Sequence, residues 1–448
     1  MTVSVRSLTI VAAIIAVLTL RTASTSTANL SYWLLAGFAL FGRAQAIQAL
    51  ALSWLFTMLS PGIGAEATGG AVGRYVVLTA AAMSVFFRGR PIVEPVIFYV
   101  LLFGLFATVH SALFSPMIDV SLLKAVSWTV ALTTILVAWS RLCVIQRQVL
   151  ERQIFGGLIL LMLVSLPLLA SSLGYIRNGS GFQGVLNHPQ VFGSTMALLG
   201  AWAAGQAFGG ERSRILGYWA LFVVCLILVV LSEARTAGLS MVLGIVIAVF
   251  AVMPLSRRSM KAVMPNLSSW RMPVIGFVLL LSTMVGGQQL ADQFSGFVTK
   301  SGRADVSSLA DAYELSRGVL ARVMWENIKH DPFIGIGFGI ASYPFLMIVE
   351  RDSLLGLPIS ASIEKGILPL AVWEELGLLG LGLVVGWVIL LLRRGAKAGV
   401  APLAVGVTAL LLNLGESTFF SPGGMGLLSL ILFGWILFGG RDREAIKR

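Results

Sequence analysis

Arg235, Arg317 and Arg322 offer fixed cations, and Glu364 beside Lys365 offers a carboxylate, all in or next to polar stretches that border apolar segments. An arginine fork takes two phosphate oxygens at once and keeps its charge at the edge of a low-dielectric cavity. When a phosphate leaves a reacting carbon, negative charge grows on it, and cations already in position stabilise that charge without reorganising. A hydroxyl is a weak attacking group, so a carboxylate within hydrogen-bond reach would serve it as general base. Glu364 is the preferred base, because it lies at an apolar boundary and is flanked by Lys365. A single base with in-line attack predicts inversion at the attacked carbon.

Further candidates for binding a ligand are Arg177, His188, Lys365, Glu375 and Glu416. Glu374 and Glu375 come two to three turns into an apolar segment, where an unpaired charge is costly and faces a cavity or a partner. For Glu375 a structural role, paired with a backbone amide or an arginine, stands beside a catalytic one. His188, between Asn187 and Pro189 at a helix start, suits a cap. Glu416 is expected near the end of a helix over 401–417, countering an arginine or lining a cavity. Arg235, following Glu233, could equally anchor a helix end against lipid phosphate. No carboxylate cluster and no His or Cys pair has ligand spacing, so neither a metal nor another cofactor is implied. Cys143 and Cys225 fall on different segments and offer no disulfide.

These residues must be held by membrane-spanning elements. The chain of 448 residues is 57% hydrophobic and only 12% charged, far from a soluble composition. Stretches near the span length of about 20 apolar residues recur, and nothing alternates at the period of a β-barrel. The expected fold is all-α and polytopic, with about 12–14 transmembrane helices. These lie at 8–21, 30–42, 44–60, 71–87, 92–113, 121–140, 154–173, 189–208, 215–231, 237–254, 273–290, 367–392, 401–417 and 423–439. Segments 30–42 and 44–60 are short enough to be one tilted helix or a re-entrant pair.

Three parts follow: helices with short loops over 1–290, one large polar loop over 291–366, and the last helices with a tail over 367–448. Most of the 32 lysines and arginines fall on alternate connections and both termini, which the positive-inside rule places in the cytoplasm. The large loop is then extracytoplasmic. The same rule and anionic lipid account for the net charge of +12, so nucleic acid is not an expected partner. The first apolar segment lacks a small-residue cleavage site after it and is expected to be a retained helix.

Within the loop, the pattern from Ser307 to Asp331 predicts a helix, started by Ser308 with Asp311 and stopped by Pro332. Leu320, Val323, Met324 and Asn327 share one face, with Arg322 and Lys329 on the other. Arg317 lies about 140° from Arg322 around that helix, so the two serve one ligand only if another element wraps around. The Gly335-x-Gly337-x-Gly339 run that follows lacks dinucleotide spacing, and a tight irregular turn packed on the membrane face is expected.

Four motifs occur in order: Leu186-Asn187-His188-Pro189-Gln190, Ser232-Glu233-Ala234-Arg235-Thr236-Ala237, the stretch from Arg322 through Trp325 to Gly339, and Glu375-Leu376-Gly377-Leu378-Leu379-Gly380. Together with a large loop before the last helices, they resemble the O-antigen ligase and polymerase superfamily over roughly residues 180–440. The resemblance implies a metal-independent glycosyltransferase at the outer face of the bacterial inner membrane, with a polyprenyl-pyrophosphate-linked sugar as donor. Arg235 matches the family arginine that engages pyrophosphate, and Arg322 or Arg317 matches a second one in the loop. The histidine that activates the acceptor in ligases would fall near Gly366, where this chain has only Lys365 and Glu364. That departure favours a polymerase of surface polysaccharide over a ligase that moves glycan to lipid A-core or another acceptor.

The implied partners are the lipid-linked donor, a glycan acceptor and membrane lipid, with a chain-length regulator left open. A transporter of a small solute would place ionisable groups at mid-membrane on broken helices in repeated halves. Here the charges gather near the outer boundary and no repeat is visible. A non-catalytic scaffold would leave Arg235 and Glu364 replaceable.

Overall fold

A computed structural model describes residues 5–65, 70–87, 94–269, 271, 318–351, 356, 358–361 and 365–439. The expected segment 273–290, Arg317, Glu364 and the start of the loop helix lie outside the described residues.

The helices are α1 (Val5–Ala23), α2 (Thr25–Ala39), α3 (Arg43–Met58), α4 (Gly70–Phe86), α5 (Pro95–Phe114), α6 (Ile118–Arg141), α7 (Val144–Ser165), α8 (Pro189–Gly209), α9 (Ile215–Leu231), α10 (Arg235–Ser256) and the single turn α11 (Met260–Val263). After the loop come α12 (Val319–His330), α13 (Leu368–Ala398), α14 (Val400–Leu412) and α15 (Gly424–Phe438). The protein is an all-α polytopic membrane protein. Among the described residues, six helical stretches are long and apolar enough to cross a bilayer: α5, α6, α7 with its continuation to Ala170, α9 with the short turn before it, α10 and α13. Large apolar side chains face outward along them, including Phe98 and Leu105 on α5 and Leu239 and Phe250 on α10. Such a surface suits hydrocarbon rather than water.

Local sequence explains several boundaries. Ser24 and Thr27 form a reciprocal capping box that starts α2. The segments expected as one tilted helix or a re-entrant pair are two helices, α2 and α3, which pack on each other. Helix α7 starts ten residues earlier than expected and ends at Ser165, where two short 3-10 turns replace the expected last turns. Pro167, in the first of these turns, has no amide to continue the α-helical ladder.

Helix α14 is shorter than the expected 401–417. It stops at Leu412, and the Asn413 carboxamide oxygen accepts from the Thr418 and Phe419 amides at 2.8 and 2.7 Å. Glu416 therefore lies in a loop and not on a helix, a correction with a physical cause: the Asn413 side chain supplies the turn.

Glycine brings helices together where a Cβ would collide. Gly104 faces Thr129, Gly244 faces Thr408, Gly205 faces Ala401 and Gly434 faces Trp139, the close approach that holds helices in lipid. Aromatic rings fill the wider gaps, as where Phe103 stacks on Phe420 at 5.6 Å and Phe155 on Trp202 at 4.4 Å.

Hydrogen bonds between helix ends sort the ends onto two faces. On one, the Asn187 amide donates to Met58 O, Phe182 to Leu231 O and Leu368 to Asn413 O. The polar loop joins this face, with His110 against Ile334 O at 2.6 Å and Arg351 against Asp119 at 2.5 Å. On the opposite face, Arg147 donates to Phe438 O and Ser140 O, and Asn266 to Ala207 O. The polar loop itself carries α12 and a small hairpin, β1 (Val349–Arg351) with β2 (Pro358–Ala361).

Candidate functional site

Helix α13 is broken at Gly377, where φ is 64° and ψ is −170°. The break strands backbone groups in the middle of a membrane helix, which must find partners. The glycine loop supplies them. The Ile336 and Gly337 amides donate to Glu374 O and Glu375 O at 2.8 and 3.0 Å, and the Leu378 amide donates to Pro332 O at 3.0 Å. The Trp373 indole also donates to Pro332 O, at 3.0 Å.

Gly335, Gly337 and Gly339 all have positive φ, at 80°, 111° and 72°. A Cβ on Gly335 would stand 2.7 Å from Glu374 O, and one on Gly337 2.9 Å from Ser115 Cα. Both the backbone conformation and the space demand glycine at these positions. The run is thus the packed irregular turn expected, seated on the broken helix.

Beneath it lies a buried ionic cluster. The Lys365 ammonium is 2.6 Å from Glu374 and 3.2 Å from Glu375, and Lys124 is 3.9 Å from Glu375. Glu374 also accepts from Asn327 at 2.7 Å and Ser342 at 3.1 Å, and Glu375 from the Gly339 amide at 2.6 Å. Lys365, Glu374 and Glu375 are 3%, 1% and 5% exposed. Two lysines thus face two carboxylates, and every acid has several donors, as buried charges require. Lys365 and Glu375, expected to bind ligand, are here engaged by protein. The amide contact expected for a structural Glu375 is present, with lysines where an arginine was expected.

Sequence reasoning passed over Lys124 and His110. Both sit inside apolar helices, α6 and α5, and that placement was the available signal. Lys124 also stands 5.0 Å from the centre of the Phe338 ring. His110 is 5% exposed, and its Nδ1 has no hydrogen-bond partner among the described residues.

A second group of polar residues surrounds the start of α10. Glu233 takes a left-handed conformation, φ 54°, and accepts from Ser180 at 3.3 Å. The turn leaves Arg235 half-buried at the first position of α10. His188 caps α8, its Nδ1 accepting from the Gln190 amide at 3.1 Å. Burial, and secondarily the positive charge of Arg177, lower the pKa of His188. Arg177 is exposed, and its own amide donates to Gln183 at 2.9 Å.

The loop after α14 bridges the two groups. Gly415 sits so close to the Thr236 side chain that a Cβ would collide with it, while two residues on the Ser417 amide donates to Lys365 O at 3.1 Å. Arg235, Glu416 and Lys365 are thereby gathered at one face, each next to one of these contacts or part of it. Glu416 also lines a small cavity with Trp54, Ser194, Thr195, Thr418 and Ser429. Trp54 is 4% exposed and its indole nitrogen has no hydrogen-bond partner among the described residues. Arg322 lies on the exposed side of α12, away from the face on which Met324 and Ile328 are buried and Asn327 reaches Glu374. That division of α12 agrees with the expected faces.

The arrangement provides a cation at a helix start and a carboxylate at a small, mostly apolar cavity, with the buried ionic cluster joined to the same loop. Among the described residues no group of three His, Cys, Asp or Glu side chains is placed to hold a metal ion. No protein-family model matches the chain, and no curated protein matches it.

Proposed function

We propose that the protein is a glycosyltransferase of the bacterial inner membrane, which joins polyprenyl-pyrophosphate-linked repeat units into a surface polysaccharide at the extracytoplasmic face. The observation that carries the reading is the bridge made by the loop after α14, which sets Glu416 between Thr236, next to Arg235, and Lys365, next to Glu364. The bridge supports a site at Arg235 and Glu416 on one face; Glu364, the base in this reading, is joined to Lys365 only by sequence adjacency.

In the proposed reaction the acceptor hydroxyl oxygen attacks the anomeric carbon as the bond from that carbon to the pyrophosphate oxygen breaks. The polyprenyl pyrophosphate departs with the bonding electrons, and Arg235 stabilises the charge that grows on it. Arg322 or Arg317 supplies the second cation. Glu364 takes the hydroxyl proton as general base, and a single displacement inverts the anomeric centre. The Lys365–Glu374–Glu375 cluster is structural in this reading and touches no substrate. The buried ammonium of Lys365 supports that division of labour.

The test is the size profile of surface polysaccharide and polyprenyl-linked glycan in cells lacking the protein, complemented with wild type, Arg235→Ala or Glu364→Gln. Single lipid-linked units with no long polymer are expected. Long lipid-linked chains left untransferred would make it a ligase, and an unchanged profile in the deletion strain would end the glycosyltransferase reading in favour of solute transport.

A further inference from the structure

The loop after α14 borders a small cavity that is also lined from α3, α8 and α15. Its wall is mostly apolar, with Val191, Leu198, Leu412 and Leu428 among the lining residues. The Thr195 hydroxyl on the same wall is spent within α8, on Val191 O at 2.7 Å. The space admits a small group of a few atoms, not a sugar ring.

Two polar side chains on this wall call for opposite partners. Trp54 is 4% exposed, and its indole nitrogen, which can only donate, has no acceptor among the described residues. A donor kept from water without a partner is costly. On the same face the Trp128 and Trp373 indoles are both satisfied, by Phe419 O and Pro332 O at 3.0 Å each. The indoles of Trp139, Trp202, Trp219 and Trp387 also lack acceptors among the described residues, so an unpaired indole alone assigns no ligand. Trp54 differs in sharing a cavity wall with a carboxylate, Glu416, whose oxygens accept from several donors at once.

We infer that this cavity seats an acetamido group on a sugar of the lipid-linked substrate. The carbonyl oxygen of that group accepts from the Trp54 indole, its N–H donates to Glu416, and its methyl group packs on the apolar wall. A hydroxyl or a water would meet the two polar side chains and leave the apolar surface uncovered, whereas an acetamido group covers all three. The inference rests on the glycosyltransferase reading and narrows its substrate to an N-acetylated sugar. Trp54 is then a specificity-determining residue, and Glu416 binds substrate without taking its proton.

The test uses full-length protein purified in detergent, as wild type, Trp54→Phe and Glu416→Leu. The methyl glycosides of N-acetylglucosamine, glucose and N-butyrylglucosamine are titrated, and saturation-transfer NMR and thermal unfolding are read. The acetamido glycoside is expected to bind the wild type about tenfold more tightly than the glucoside, the scale of one added hydrogen bond. Its saturation should be strongest at the acetyl methyl, and the longer butyryl chain should be refused. Each variant should lose most of the preference. Equal binding of the acetamido glycoside and the glucoside by the wild type, or a preference unchanged in both variants, would overturn the inference and leave the cavity to water. Binding is read without transfer, so the two readings fail separately: the preference in a protein whose deletion leaves the glycan profile unchanged would keep the sugar site and end the glycosyltransferase reading. Trp54→Phe keeps an aromatic ring in place, and if it does not fold, Glu416→Leu in the loop decides.

Discussion

The Lys365 ammonium and the Glu374 carboxylate are 2.6 Å apart and almost sealed from solvent, with side-chain exposures of 1% and 0%. A pair this buried stabilises little over an apolar substitute, but breaking it is costly because it strands a charge. Here the pair also fastens three separate stretches of chain: Lys365 ends the polar loop, Glu374 precedes the break in α13, and Asn327 of α12 bonds to the same carboxylate. The candidate site is therefore built on a charge cluster that holds the polar loop to the membrane helices.

Lys365→Met is expected to destabilise the protein by about 3–5 kcal/mol, since it leaves Glu374 and Glu375 with one lysine between them. Adding Glu374→Gln should restore part of that loss, because the stranded carboxylate is gone. Denaturant unfolding in micelles measures both. Equal stability of Lys365→Met and wild type would mean that the pair does not fasten the loop.

Gly337→Ala is expected to cost at least about 1–3 kcal/mol, the range for a strained backbone conformation, and more if Ser115 cannot move. Gly156, in the middle of α7 with nothing within 4 Å of its would-be Cβ, is the control. Gly156→Ala should be neutral or stabilising by about 0.5–1 kcal/mol. The difference between the two variants, read from unfolding curves, checks whether the glycine loop owes its place to backbone conformation.

Acid should weaken the fold through His188. Its folded-state pKa is lowered from the ordinary 6.5 by burial and then by Arg177, so the fold favours the neutral ring, whose Nδ1 can accept from Gln190. The linked stability is fully present above pH 6.5 and is lost as pH falls through the lowered value. His188→Asn, which keeps a capping acceptor, should show a shallower acid loss in unfolding measured against pH. Arg177→Ala should shrink the loss too, since removing the like charge returns the His188 pKa toward 6.5. Identical acid profiles for all three proteins would remove His188 from the account.

Arg235→Ala is expected to lower polymer formation by about 10²–10³-fold, the scale for losing one fixed donor to a developing anion. Arg235→Lys should recover only part of it, because an ammonium lacks the planar fork. Membrane abundance should be unchanged in both. Full activity in Arg235→Ala, assayed on lipid-linked units in purified membranes, would leave Arg235 as a lipid anchor.

Much of this architecture is legible in the chain. Apolar runs of spanning length mark α5, α6, α9, α10 and α13, because a backbone in lipid has to satisfy itself within a helix. The faces of α12 follow from its 3.6-residue period. The cap at His188 and the stop before Pro332 follow from local chemistry that needs no distant partner.

Other features depend on residues far apart in sequence. Nothing near Glu375 announces that Lys124, some 250 positions earlier, supplies one of its countercharges. Gly377 in an apolar run gives no sign that the helix breaks there, because the break exists only where Pro332 and Gly337 supply the missing hydrogen bonds. Hydropathy runs through Leu412 without marking a stop, whereas the Asn413 carboxamide ends α14 and swings Glu416 into a loop between Thr236 and Lys365. The sequence by itself determined the membrane class and the spans α5, α6, α9, α10 and α13, which depend on how the bilayer treats each segment separately. The tertiary structure alone decided which charges meet, because a buried ion's partner is chosen by packing between segments and leaves no periodic trace in either one.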